Sequence, residues 1–200
     1  MNCIGSSFFG RLGPQIFASV VFFVGLLSGD QSAQAASQIC RTVALHAAQS
    51  TGVPAHVLLQ LATSQSGSGR KPGSPWSVRF NGEDIQQFAT RDAAEAYVFA
   101  RFMRGARLFA IGCFQVRYGR HQDAFETIEE MFDPDKNALH TARMLRTEHA
   151  RYNTWRDAVA ACRAAEAKFI MRSMQRERSN GLNLNAHLLT TSNSTTLGAM

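Results

Sequence analysis

Gln65 lies near the end of the stretch LLQLATSQSG, Leu58–Gly67, in which an apolar helix runs out into Ser-Gly. Helix ends that open into loops are where hydrolytic chemistry often sets an acid. A partly buried carboxylic acid carries a transferable proton at neutral pH, because burial raises its pKa. An amide has no such proton and offers one acceptor and two donors instead. Two further stretches carry residue types able to line a site: Gly112-Cys113-Phe114-Gln115, and Phe132-Asp133-Pro134 followed by Asn137 at the opening of a helix.

Other chemistries find little support. The histidines, at 46, 56, 121, 140, 149 and 187, include no i,i+4 pair, and no two cysteines lie close together, so no metal or cofactor is expected. SGSGRKPGS, Ser66–Ser74, lacks the preceding strand that a phosphate-cradling loop needs. A Cys113–His121 nucleophile pair is generic, and Cys113 fits a disulfide or a core position better.

The elements that must position these residues are mostly helical. Ile39, Val43, Ala44, Ala47 and Ala48 form one stripe that Thr51-Gly52 ends, and Pro54 opens a second helix with Val57, Leu58, Leu61 and Ala62 inward. WSVRF alternates with period two, and Asn81-Gly82 turns it toward QQF as a small hairpin. Thr90 caps a helix that stops at Gly105. LFAIGCFQV is apolar enough for either a buried strand or a helix start. Helices are expected over Asp123–Phe132, from Pro134 to about Ala150, and from near Thr154 through Arg178. Ser179–Met200, without Asp, Glu, Lys or Arg, reads as a disordered tail.

Residues 1–35 have the parts of a secretory signal: Arg11, the apolar run Ile16–Leu27, and Ala33-Gln34-Ala35 for cleavage. The run falls short of the ~20 residues that span a bilayer. The remaining chain fits one domain, residues 36–178, followed by the tail. Arg11 and Asp30 leave together, so the net charge of +6 is unchanged, and an exported basic protein meets envelope polymers or membrane surfaces rather than nucleic acid. Three cysteines remain, Cys40, Cys113 and Cys162, of which two should pair in an oxidising compartment. Composition does not choose the pair; Cys40 with Cys113 is the expectation, with Cys162 left free.

The helix ending at Gln65-Ser66-Gly67, the segment GCFQVRYGRH (Gly112–His121) and Asn137 after Phe132-Asp133-Pro134 together resemble the soluble lytic transglycosylase domain, a lysozyme-like module that cleaves peptidoglycan glycan strands. The likeness runs from about Cys40 to Arg172 and includes the Trp76 hairpin of one exported subgroup. It implies a mostly α, lysozyme-like fold with a small β-hairpin and a groove between two lobes. It further implies a catalytic position at Gln65, and glycan contacts from Ser66, Trp76, Phe114, Gln115 and Tyr118.

The sequence departs from that family at two places. Gln65 occupies the position of the family's catalytic Glu, and Cys162-Arg163 stands where Tyr-His or Tyr-Asn is expected. In the family reaction the Glu protonates the oxygen leaving N-acetylmuramic acid, then helps the sugar's own 6-hydroxyl attack, giving a 1,6-anhydro product. Loss of a general acid typically costs 10² to 10⁴ in rate. The expectation is therefore a secreted or periplasmic protein that binds peptidoglycan glycan strands and cleaves them poorly or not at all. Arg70 and Lys71 are candidates for contacts to acidic groups of the wall. Two alternatives stand beside this: an active lytic transglycosylase with a displaced acid, Glu83 or Asp84, and an interaction module of an envelope-spanning apparatus with an envelope protein as partner.

Overall fold

The computed structural model describes residues 34–66 and 73–196, with side chains described for 34–64 and 73–180. Most of the proposed signal, residues 1–33, thus lies outside the described residues. The chain is mostly helical and carries one small antiparallel sheet. None of its described helices is long and apolar enough to cross a membrane.

Helix α1, residues 34–51, buries Cys40, Val43, Ala44, Ala47 and Ala48 at helical spacing. Ile39, expected on this stripe, is instead 37% exposed, because Cys40 takes the inward position and is bonded there. Gly52, at φ +75°, turns the chain into α2, Ala55–Ser66, whose Val57, Leu58, Leu61 and Ala62 face the core as expected. The mid-chain helix α3, Arg91–Phe102, starts at Thr90, which accepts from the Ala93 N–H.

The expected hairpin is only half of the sheet. β1, Ser77–Phe80, pairs with β2, Gln86–Gln87, but also with β3, Phe109–Ile111, which pairs with β4, Val116–Arg117, giving the order β2-β1-β3-β4. LFAIGCFQV is therefore a strand pair around a tight turn. One face of the sheet is apolar: Val78, Phe80, Phe109, Ile111 and Val116 are all buried.

After β4 come two short helices, α4, Tyr118–His121, and α5, Ile128–Met131, separated by a 3₁₀ turn at Gln122–Ala124. The single helix expected over Asp123–Phe132 is broken because Phe125 is extended and Thr127 accepts from the Glu130 N–H, starting a new helix within the segment. α6, Pro134–Tyr152, begins with Pro at its first turn and Asp133 as cap, and ends at Asn153 in the left-handed region.

Helix α7, Trp155–Thr196, packs against α6. It begins with Thr154 accepting from the Asp157 N–H, while Trp155 stacks on His149 at 3.9 Å. Its backbone continues past Arg178, through a segment expected to be disordered, to Thr196. No proline interrupts residues 155–196, and the lone Gly181 costs a helix only about 1 kcal/mol.

Candidate functional site

Gly112–Gln115, the turn between β3 and β4, is held from three sides. Cys113 is bonded to Cys40, 73 residues away, tying the turn to α1 as expected. Asn137, on α6 and 0% exposed, accepts from the Phe114 N–H at 3.1 Å and donates Nδ2 to the carbonyls of Ile111 and Met131 at 3.0 and 3.1 Å. Gln115 donates Nε2 to the carbonyls of Ser77 and Gly112 at 3.2 and 3.1 Å. Carbonyls only accept, so the nitrogen must face them.

The geometry accounts for two residue choices. Gly112 sits at φ +85°, and a Cβ there would come within 2.8 Å of Asn137 Nδ2, so only glycine fits both the backbone and the neighbour. Gln115 also has positive φ, +50°, a strain maintained by its side-chain bonds to β1. Its Oε1 is buried and has no hydrogen-bond partner among the described residues, which leaves one acceptor unused.

This turn forms part of the wall of a cavity of about 410 Å³. Leu61 and Ser64 reach it from the end of α2, Phe114 and Gln115 from the turn, and Cys162 and Arg163 from α7. Three stretches widely separated in sequence thus meet at one space. The side chains of Gln65 and Ser66 lie outside the described residues, as do Arg70 and Lys71. The backbone of Gln65 follows Ser64 on the last turn of α2.

Trp76 and Tyr118 do not line this cavity. Trp76 is half-buried and packs against the core. Tyr118 stacks on Phe109 at 4.8 Å and meets Phe102 edge-on at 5.5 Å, in an aromatic cluster beneath the sheet.

One carboxylate stands among the described lining residues, Glu166 on α7. Arg117 Nε donates to its Oε2 at 3.2 Å, His121 Nε2 donates to Oε1 at 2.8 Å, and Arg120 lies at 3.4 Å. Burial pushes the Glu166 pKa up, but the His121 hydrogen bond and the charges of His121, Arg120 and Arg117 outweigh it, holding the carboxyl below its ordinary range. Glu166 is therefore ionised at neutral pH and poorly suited to donate a proton. Burial pulls the Arg117 guanidinium down; Glu166 opposes this, and the nearby Arg79 charge adds to it. His140, whose ring lies 4.9 Å from that of His121, is held neutral, its pKa depressed to about 4 by burial first and then by His121 and Arg143. The Cys162 thiol is pushed up to about 11, chiefly by burial.

Glu83 lies in the turn after β1, where Arg101 donates to both of its oxygens. That bond holds its pKa below the ordinary value against a small opposing effect of burial. Asp84 beside it is exposed. Among the described residues no group of three or more His, Cys, Asp or Glu is arranged to hold a metal ion.

The sequence did not point to Arg79, Arg117, Arg120 or Glu166. Glu166 reads as a solvated residue of an Ala-rich helix, and only tertiary packing brings it to Arg117. The alternation in SVRF did carry a signal for Arg79, since Val78 and Phe80 point one way and Arg79 the other.

Compared with known proteins, the chain matches no family model, no curated protein and no solved structure.

Proposed function

We propose that the chain is a peptidoglycan glycan-strand binding protein with a lytic transglycosylase fold, exported to the periplasm or secreted, whose groove has lost its acid. The observation that carries this reading is the meeting of the α2 end, the Gly112–Gln115 turn and Cys162-Arg163 at one cavity in which the single described carboxylate is kept ionised by a His121 hydrogen bond and by Arg117 and Arg120. A groove of this kind supplies acceptors and donors for a polar polymer. Ser64 supplies a hydroxyl, and Phe114 and Gln115 line the wall beside it.

The groove's described lining presents no neutral acid. Gln65, at the position where the family resemblance expects Glu, carries an amide. Glu166 and Glu83 are both bound by arginines, and this keeps them charged. That pairing disfavours a displaced acid. The disulfide fits an oxidising compartment, where such bonds persist.

The test is co-sedimentation of the purified protein with peptidoglycan sacculi, with mass spectrometry of the supernatant. Binding without release of 1,6-anhydromuropeptides is the expected result. Failure to sediment would remove the proposal, and release of anhydro-ended fragments would replace it with an active enzyme.

A further inference from the structure

The sheet presents two unlike faces. Val78, Phe80, Phe109, Ile111 and Val116 point into the core, so the residues alternating with them point to the opposite side. There Arg79 is registered opposite Ala110, and Ala110 opposite Arg117. Neighbouring strands lie ~4.8 Å apart, so the two arginines rise from backbones about 10 Å apart with only a methyl group between them. Both side chains border the same cavities.

Neither arginine is fully used among the described residues. Arg117 is 8% exposed, and its one hydrogen bond among the described residues runs from Nε to Glu166. Its two terminal nitrogens find no acceptor there, and neither is among the fully buried unpartnered atoms, so they keep accessible surface. Arg79 is half-buried and makes neither an ion pair nor a side-chain hydrogen bond among the described residues. Glu166 cannot neutralise both, since its carboxylate is already shared with Arg120 and His121. Arg79 and Arg117 line the 410 Å³ cavity and also a neighbouring one of about 300 Å³ that continues to Asn81, Gly82 and Glu83, whose carboxylate is taken by Arg101, with Ile170 bordering both. The groove passes over the pair.

We infer that Arg79 and Arg117 form a carboxylate-binding site in this groove, so that the ligand is an acidic glycan rather than a neutral one. Two planar forks match the two oxygens of a carboxylate, and partial burial strengthens the attraction. The inference rests on the glycan-binding reading. Within that class, the carboxylate belongs either to the lactyl ether of a muramic residue or to the peptide attached to it.

The experiment is calorimetric titration of the full protein, at low salt, with three probes: peptide-free glycan strands, peptide-bearing strands, and a chitin hexasaccharide that lacks any carboxylate. The carboxylated strands should bind about tenfold more tightly than the hexasaccharide, ~1.4 kcal/mol. Arg79→Gln should abolish the preference and Arg79→Lys should restore part of it. Arg79 is the residue to change, because no side chain among the described residues is bonded to it and Glu166 keeps its partners. A preference already present with peptide-free strands supports the site and assigns the carboxylate to the lactyl group. One confined to peptide-bearing strands supports it and assigns the carboxylate to the peptide. Equal binding of all three probes by native protein and Arg79→Gln overturns the inference and leaves glycan binding standing. If none of the three binds, the glycan reading falls, and titration with N-acetylmuramic acid against N-acetylglucosamine, followed at the arginine Nε resonances, decides the site. No selective shift at Arg79 or Arg117 would overturn it.

Discussion

Replacing Asn137 by alanine removes one side chain that holds three backbone groups, the Phe114 N–H and the carbonyls of Ile111 and Met131. All three bonds are buried, so water does not replace them readily. At about 1 kcal/mol net for each bond, the variant should lose roughly 3 kcal/mol, more if the Phe114 N–H is left without any acceptor. In a domain of this size that lowers Tm by about 6–12 °C. Urea unfolding followed by circular dichroism, with an unchanged m-value, measures it. Gly112→Ala supplies an internal check, because its Cβ would meet Asn137 Nδ2 at 2.8 Å while the backbone is also strained by φ +85°. Removing Asn137 relieves the collision but not the strain, so the double variant should be less destabilised than the two single changes added together. A loss below ~1 kcal/mol for Asn137→Ala, or strict additivity with Gly112→Ala, would refute the idea that this side chain holds the Gly112–Gln115 turn.

The Cys40–Cys113 disulfide, closing a separation of 73 residues, should contribute roughly 4 kcal/mol on the chain-entropy account. Peptide mapping without reduction should find this pair, with Cys162 as a free thiol; a bond to Cys162 would contradict the geometry. Stability should also fall as pH drops. His140 titrates near 4 when folded against an ordinary 6.5, so the unfolded chain takes up the proton first, and the contribution, complete above about pH 6.5, is lost progressively toward about pH 4. Glu166, held below the ordinary carboxylate range, adds a further loss at still lower pH, as its folded form becomes protonated. Urea unfolding at about pH 7.5 and about pH 5 should show the first loss, and His140→Phe should flatten it; equal stability of the native protein at both values would contradict the assignment.

The parts of the fold that were legible in the sequence are those fixed by near neighbours. Thr90, Asp133 with Pro134, and the inward stripe of α2 each act within a turn or two of helix, and each falls where local spacing put it. The Gly112–Gln115 turn was legible as a candidate site. Its attachment to Asn137 was not, because their contact depends on how α6 packs against the sheet. The Arg79–Ala110–Arg117 row was hidden for the same reason, since β1 meets β3 only across a long connection that includes α3. At Ile39 and Cys40 the periodic pattern was right about the helix but displaced by one residue at its start, where the disulfide decides which side chain turns inward. The break within 123–132 reflects competition between a helical pattern and a threonine well placed to start a new turn.

The central claim is that the groove binds without cutting because it lacks a proton donor at Gln65. Digestion of purified peptidoglycan by the native protein and by Gln65→Glu, alone and with Cys162→Tyr, tests it most directly. The account predicts no anhydro-ended muropeptides from the native protein and measurable release by at least one acid-restored variant. Release by the native protein at a rate equal to that of the restored variants would contradict it.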